Sequence, residues 1–205
     1  WKFVQAGISY QTVKNAILDT GTAQEGTDNA IVIYHDNFYK NIPTMQVMVA
    51  ATPTIGIWYP RLTLALVKQW LTMESLGEEI KLHQALPVIQ FGNTLTLPKR
   101  FTLNCDYTFQ GKGDSRVYRL QKSTNTLNAS VRKSFFKNAL AVEVFANNIL
   151  DDESTETRVY SKSYSLRQLS KMSMRTYGVT LRYNFNTAQS KYKGTGAGKS
   201  QKARM

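Results

Sequence analysis

Tyr177-Gly178-Val179-Thr180-Leu181-Arg182-Tyr183-Asn184-Phe185 decides how this chain folds. Tyr177, Val179, Leu181, Tyr183 and Phe185 alternate with Gly178, Thr180, Arg182 and Asn184. A period of two describes a strand with one apolar and one polar face. Upstream, Phe101, Leu103, Cys105, Tyr107 and Phe109 alternate with Thr102, Asn104, Asp106 and Thr108. Val4, Ala6, Ile8 and Tyr10 repeat the pattern near the start, and no helical periodicity supplies a cover for these faces. A series of amphipathic strands with nothing to pack on predicts a membrane β-barrel, because lipid covers the outer face.

About eight strands are expected, joined by alternately long and short connections as in an up-and-down barrel. They are read at residues 2–18, 30–51, 61–72, 86–97, 101–109, 116–135 and 139–150, with the last at 177–185. The seventh is expected to continue upward through 157–163. Residues 19–29 and 73–84 read as polar loops, and Pro43 as a bulge or unpaired point. Short turns are expected at 52–60, 98–100 and 136–138. The strand lengths, roughly 10–20 residues, exceed the globular mean of about 5–6 and suit a tilted membrane strand of about 9–11.

The alternation predicts which side chains face which medium. Leu103, Val131, Val142, Val179, Leu181, Tyr183 and Phe185 are expected to face lipid. Asp106, Arg132, Glu143 and Arg182 are expected to face the lumen, as a polar network that keeps the interior hydrated. Trp58, Tyr59, Phe101, Phe135, Phe136, Tyr183 and Phe185 fall near the short turns as an interfacial girdle, and Trp70 near the opposite rim. Lys68 and Lys133 interrupt the apolar faces near strand ends, where a long side chain can snorkel. Asn93, amid Ile89, Phe91, Leu95 and Leu97, has no explanation at this level.

Composition fits the same picture. No apolar run approaches the roughly 18 residues of a spanning helix. Net charge is +12, and Lys191, Lys193, Lys199, Lys202 and Arg204 stand in a tail without acids. Such a surplus suits anionic lipid or nucleic acid. Cys105 is the only cysteine, which excludes an intrachain disulfide or thiolate cluster. Starting at Trp1 with no signal peptide, the chain is expected to be a fragment or a processed product. Residues 1–186 read as barrel strands and loops, and 187–205 as a basic Gly/Lys-rich tail.

Leu181-Arg182-Tyr183-Asn184-Phe185 resembles the closing strand of an outer-membrane barrel. Ala146-Asn147-Asn148-Ile149-Leu150-Asp151-Asp152 resembles the Asn-Asn-Leu-Phe-Asp stretch near the top of the penultimate strand in TonB-dependent receptors. Ser190-Lys191-Tyr192-Lys193-Gly194-Thr195-Gly196-Ala197-Gly198 and Gly111-Lys112-Gly113-Asp114-Ser115 resemble a Bacteroidetes subfamily of these receptors. The resemblance implies a location in the outer membrane and a barrel of about 22 strands, of which these are the last eight. It also implies a partner set: outer-membrane lipid, the barrel-assembly machinery acting through the final strand, and an N-terminal plug with the earlier strands of the same receptor.

Other motifs carry little. Lys193-Gly194-Thr195-Gly196-Ala197-Gly198-Lys199-Ser200 imitates a phosphate-binding loop, but Lys193 stands where the pattern needs glycine and no helix can follow. Asp151, Asp152, Glu153 and Glu156 read as a solvated acidic cluster, with a divalent cation as the alternative. His35 and His83 lie far from any carboxylate or cysteine at ligand spacing. No nucleophile elbow or carboxylate pair stands out, so no enzyme, cofactor or metal is expected. Asn128-Ala129-Ser130 matches a glycosylation sequon but falls inside a strand.

Three functions follow from these features. The first is the C-terminal barrel portion of a TonB-dependent receptor that takes up a bulky nutrient. The second is a complete eight-stranded barrel with a structural or adhesive role. The third is a soluble basic β-domain stacking nucleic-acid bases on Phe101, Tyr107 and Phe109. The expectation is for the first, with no nucleic-acid partner.

Overall fold

A computed structural model of the protein describes residues 3–16, 18–25, 31–37, 40–162, 164–171 and 175–185. Its strands are β1 (Val4–Ala16), β2 (Asp19–Glu25), β3 (Ile31–Asn37), β4 (Lys40–Ala51), β5 (Trp58–Gln69), β6 (Leu71–Ser75), β7 (Glu78–Leu82) and β8 (Leu86–Leu97). They continue with β9 (Phe101–Gln110), β10 (Gly113–Ser115), β11 (Tyr118–Leu120), β12 (Thr124–Phe135), β13 (Leu140–Asn147), β14 (Thr155–Tyr160), β15 (Ser165–Ser170) and β16 (Thr176–Tyr183). Eight of them form one antiparallel meander in the order β1-β4-β5-β8-β9-β12-β13-β16. Hairpins β2-β3 and β6-β7 and the sheet β10-β11-β14-β15 are built from the long connections, all at one end of the meander.

Register carries the alternation across the whole sheet. Ile8 lies opposite Val47, Val47 opposite Leu66, Leu62 opposite Phe91, and Phe91 opposite Tyr107. Farther along, Leu103 meets Val131, Val131 meets Val144, and Val144 meets Val179. Partners across an antiparallel ladder share a face, so all eight strands turn their apolar side the same way. Among the described residues that side has no cover: Ile8 is 73% exposed, Val179 64% and Leu181 70%. No helix among the described residues is long and apolar enough to span a membrane.

Three prolines are tolerated because one flanking ladder stops beside each. Pro43 lies just outside the β4–β5 ladder, which begins at Thr44. Pro60 lies beyond its other end, at Leu62, and Pro87 precedes the β8–β9 ladder, which begins at Val88. A residue without an N–H belongs at such places. Of the two expectations for Pro43, the unpaired point holds on the β5 side and the bulge does not: Pro43 pairs with Thr12, and the register shift lies between Val13 and Ala16 on β1, where Asn15 has φ 50°.

The long connections depart from the sequence reading. Residues 73–84 are a hairpin rather than a polar loop, with Leu71, Met73 and Leu82 almost fully buried. Strands expected at 30–51 and 116–135 are each split in two, and the upward continuation of the seventh strand is β14 in a separate sheet. Leu71, Met73, Leu82, Val117 and Tyr160 join Ala16, Leu18 and Ile42 in one buried cluster. The enclosed core thus sits at the long-connection end, while the membrane-length strands have none. The tail 187–205 lies outside the described residues.

Candidate functional site

The polar face of the meander is the candidate site. Gln5, Ser9, Gln46, Thr63, Gln90, Thr94, Asn104, Asp106, Ser130 and Arg132 share it by register. Arg61 on β5 and Asp106 on β9 reach across β8 to form an ion pair of 3.2 Å. The residue between them is Gly92, aligned with both. A Cβ at Gly92 would stand 2.7 Å from Asp106 Oδ1 and 3.1 Å from Arg61 Nη2. The glycine leaves room for the bridge. One row nearer the short turns, Thr94 Oγ1 donates to Asn104 Oδ1 at 3.0 Å, and Asn104 Nδ2 donates to Ser130 Oγ at 3.2 Å.

Beyond Ser130 the polar row is broken by Phe145, whose ring lies over Gly178 on the neighbouring strand. Asn104, Asp106, Asn128, Ser130, Glu143 and Thr180 border a depression of about 410 Å³ beside that ring. Of the residues chosen from sequence as lumenal, Asp106 is bridged to Arg61, Arg132 stands directly opposite Glu143, and Arg182 lies opposite Ala141. Leu103, Val131, Val142, Val179, Leu181 and Tyr183 lie on the other face, while Phe185 follows the end of β16, its ring and that of Tyr183 steeply inclined with centroids 4.7 Å apart. Sequence reasoning missed Arg61 and Gly92. Their meaning depends on register, which no single strand reveals.

At the long-connection end, residues 111–116 dock against this face. The Gln69 side chain receives the Arg116 N–H at 2.7 Å and donates to the Arg116 carbonyl at 2.8 Å. Asp114 and Gln84 exchange bonds: the Asp114 N–H donates to the Gln84 carbonyl, and the Gln84 N–H donates to Asp114 Oδ2. Gly113 presses on the backbone of Leu86 and Ala85, where a Cβ would come within 2.6 Å. The buried Asp114 carboxylate also takes Arg119 at 2.8 Å, and this bond raises the Arg119 pKa. Below the docked segment lies a cavity of about 480 Å³, lined by Val13, Ile42 and Val67 and by Gln11, Thr44 and Gln69.

The acidic cluster is dispersed into separate bonds. Asp152 takes Lys122 at 2.6 Å and Asn125 at 2.7 Å, and the Lys122 bond, then the Asn125 bond, lower its pKa. Glu156 takes Arg167 at 2.7 Å, which lowers its pKa. Glu153 accepts from Thr126 Oγ1, and Asp151 faces Arg175 at 3.7 Å. Among the described residues no group of His, Cys, Asp or Glu is arranged to hold a metal ion. His83 contacts Thr72 Oγ1 at 3.2 Å, and Asn128 of the sequon accepts the Asn148 N–H within the fold.

The exceptions on the apolar face are satisfied locally. Asn93 Oδ1 accepts the Trp58 indole N–H at 3.0 Å, which supplies the account the sequence lacked. Lys133 Nζ lies 4.5 Å from the Phe101 ring centroid and 5.0 Å from that of Phe135; Lys68 Nζ lies 5.5 Å from that of Trp70. Tyr59, by contrast, pairs with Thr94 and so belongs to the polar face, not to the girdle.

An open, uncovered meander of this kind matches a known family. Residues 1–183 fit the model of the outer membrane protein beta-barrel family. The chain belongs to that family. No curated protein and no solved structure matches it. For an outer-membrane barrel strand, the exposed apolar face has a physical explanation in lipid contact, and the polar face in a hydrated interior.

Proposed function

We propose that the chain is the C-terminal wall of a TonB-dependent receptor in the outer membrane, serving uptake of a bulky nutrient without chemistry on it. The observation that carries this reading is the pair of open edges. Among the described residues β1 pairs only with β4, and β16 only with β13. Unsatisfied strand edges are costly in lipid, so the sheet calls for further strands between β16 and β1. An eight-stranded closure would need a β1–β16 ladder, and the described residues form none.

The polar face with its Arg61–Asp106 bridge would line the passage, and a plug from the same receptor would fill it. The paired long connections would form the outward capture surface. The final strand would engage the assembly machinery. Stacking of nucleic-acid bases finds no support in the aromatics, because Phe101, Tyr107 and Phe109 belong to the continuous apolar face. The test is growth of the parent cell on large oligosaccharides, oligopeptides and chelated metals. Deleting this segment and uncoupling the inner-membrane energy source should abolish growth on the same nutrient. Growth that survives either change on every nutrient would sink the transport reading.

A further inference from the structure

We infer that the short-turn rim between β8 and β13 binds anionic phospholipid headgroups. Charge is divided between the two ends of this barrel. Every Asp and Glu of the chain except Asp106 and Glu143 falls in a long connection. There five cations pair with carboxylates: Arg119 with Asp114, Lys122 with Asp152, Arg167 with Glu156, Arg175 with Asp151, Lys81 with Glu79.

The opposite end has cations and no acid. Lys99 and Arg100 occupy the turn Pro98–Arg100, Lys137 the turn Phe136–Asn138, and Lys133 the strand between them. β9 and β12 are neighbours, so the two turns stand side by side along the rim. None of these four cations pairs with a carboxylate of the described residues. Lys99, Arg100 and Lys137 are exposed at left-handed backbone positions, with φ 59°, 62° and 53°.

Lys133 selects lipid as the source of the missing counter-charge. It lies opposite Val142 and Phe101, on the apolar face rather than the polar one. Its ammonium is held between two aromatic rings at the level of the turns. A cation fixed there meets headgroup phosphate, whereas a soluble anion or cell-wall carboxylate would be met on the inner face or below the rim. The chain also leaves β16 at this rim, because Tyr183 pairs with Leu140 beside the second turn. The basic residues of the tail follow from that point.

Of the functional reading the inference needs only membership of the barrel family, and it stands whether or not the chain serves transport. The test uses the full chain inserted in membranes, extracted in neutral detergent and titrated with phosphatidylglycerol against phosphatidylcholine. Each cation close to an anionic lipid surface contributes about a five-fold preference at low salt. The rim variant Lys99→Asn, Arg100→Asn, Lys133→Gln, Lys137→Asn should lose most of the phosphatidylglycerol preference while keeping the amide-exchange protection of the β9–β12 ladder. Asn tolerates left-handed backbone, so the turns should survive. Lys133→Arg alone should retain the preference. Equal binding of the two lipids by the unaltered protein would overturn the inference. So would a folded rim variant that retains the preference, or its complete loss on removing only residues 187–205.

Discussion

Leu181 and Thr180 are neighbours in sequence with opposite surroundings. Leu181 is 70% exposed on the apolar face, whereas Thr180 borders the polar depression. Leu181→Arg should cost roughly 2–4 kcal/mol if it lies near the midplane, and Thr180→Arg much less. Urea unfolding of the membrane-inserted protein measures both, and equal losses would refute the face assignment. Gly178 poses a stricter test. A Cβ there would stand 2.5 Å from Phe145 Cζ, and a ring yields less readily than a flexible chain end. Gly178→Ala should cost about 1–3 kcal/mol through overpacking, and Phe145→Leu in the same protein should restore most of it. At this scale the sequence was readable wherever one strand decided the matter. Alternation separated Leu181 from Thr180. It could not explain Asn93, whose partner Trp58 lies on another strand, nor place Tyr59, which lay outside the expected bounds of its strand.

Elements at the long-connection end were harder to read. The hairpin β6-β7 holds Glu74, Ser75, Gly77, Glu78, Glu79 and Lys81, and these polar letters hide the alternation of Leu71 and Met73. Its burial comes from contacts with Val117 and Tyr160, distant in sequence. The docked segment 111–116 was likewise visible only as a glycine-rich motif. Gln69→Leu should release it at a cost of about 1–2 kcal/mol, because the part-buried Arg116 amide loses its acceptor. Amide hydrogen exchange at Arg116 should rise well above that of β5, and unchanged protection would show that Gln69 is dispensable. Acid should loosen the same end. The Asp152 and Glu156 pKa values are lowered in the fold, so their stabilising bonds are present above the ordinary carboxylate range, roughly pH 4, and are lost as pH falls through the lowered values. Exchange at Gln121, whose N–H donates to the Glu156 carbonyl, should accelerate there before the β9–β12 ladder does. Simultaneous acceleration would mean that the two sheets open as one.

The whole molecule was the most legible level in class and the least in completeness. Eight amphipathic strands with alternating connections announced an outer-membrane barrel, because an apolar face without a helix to cover it has few other destinations. Closure was not readable, since shear and curvature belong to the assembled sheet. The isolated chain should therefore fail to form a monodisperse, heat-modifiable pore on refolding in detergent. A stable monomer with protected β1 and β16 edges would show instead a complete small barrel. Orientation is open to labelling of intact cells. Leu76→Cys, at the tip of β6-β7 and 60% exposed, should react, whereas the neighbouring Ser75 is 3% exposed and is a poor probe. Lys99→Cys should be spared, and its modification from outside would invert the assigned sides.

The buried cluster that gathers β6, β7, Val117 and Tyr160 also constrains how such a protein can diversify. In a barrel with slack loops, each loop can drift by itself and new specificities arise one loop at a time. Here a change in one hairpin alters the packing partners of three other connections, at Leu18, Val117 and Tyr160, and the Leu76 N–H even donates to the Lys162 carbonyl. Inheritance should therefore act on the connections as a block. A chimera that exchanges the segment between β5 and β8 alone should misfold at its outer end, while one exchanging the segments after β1, β5, β9 and β13 together should be tolerated.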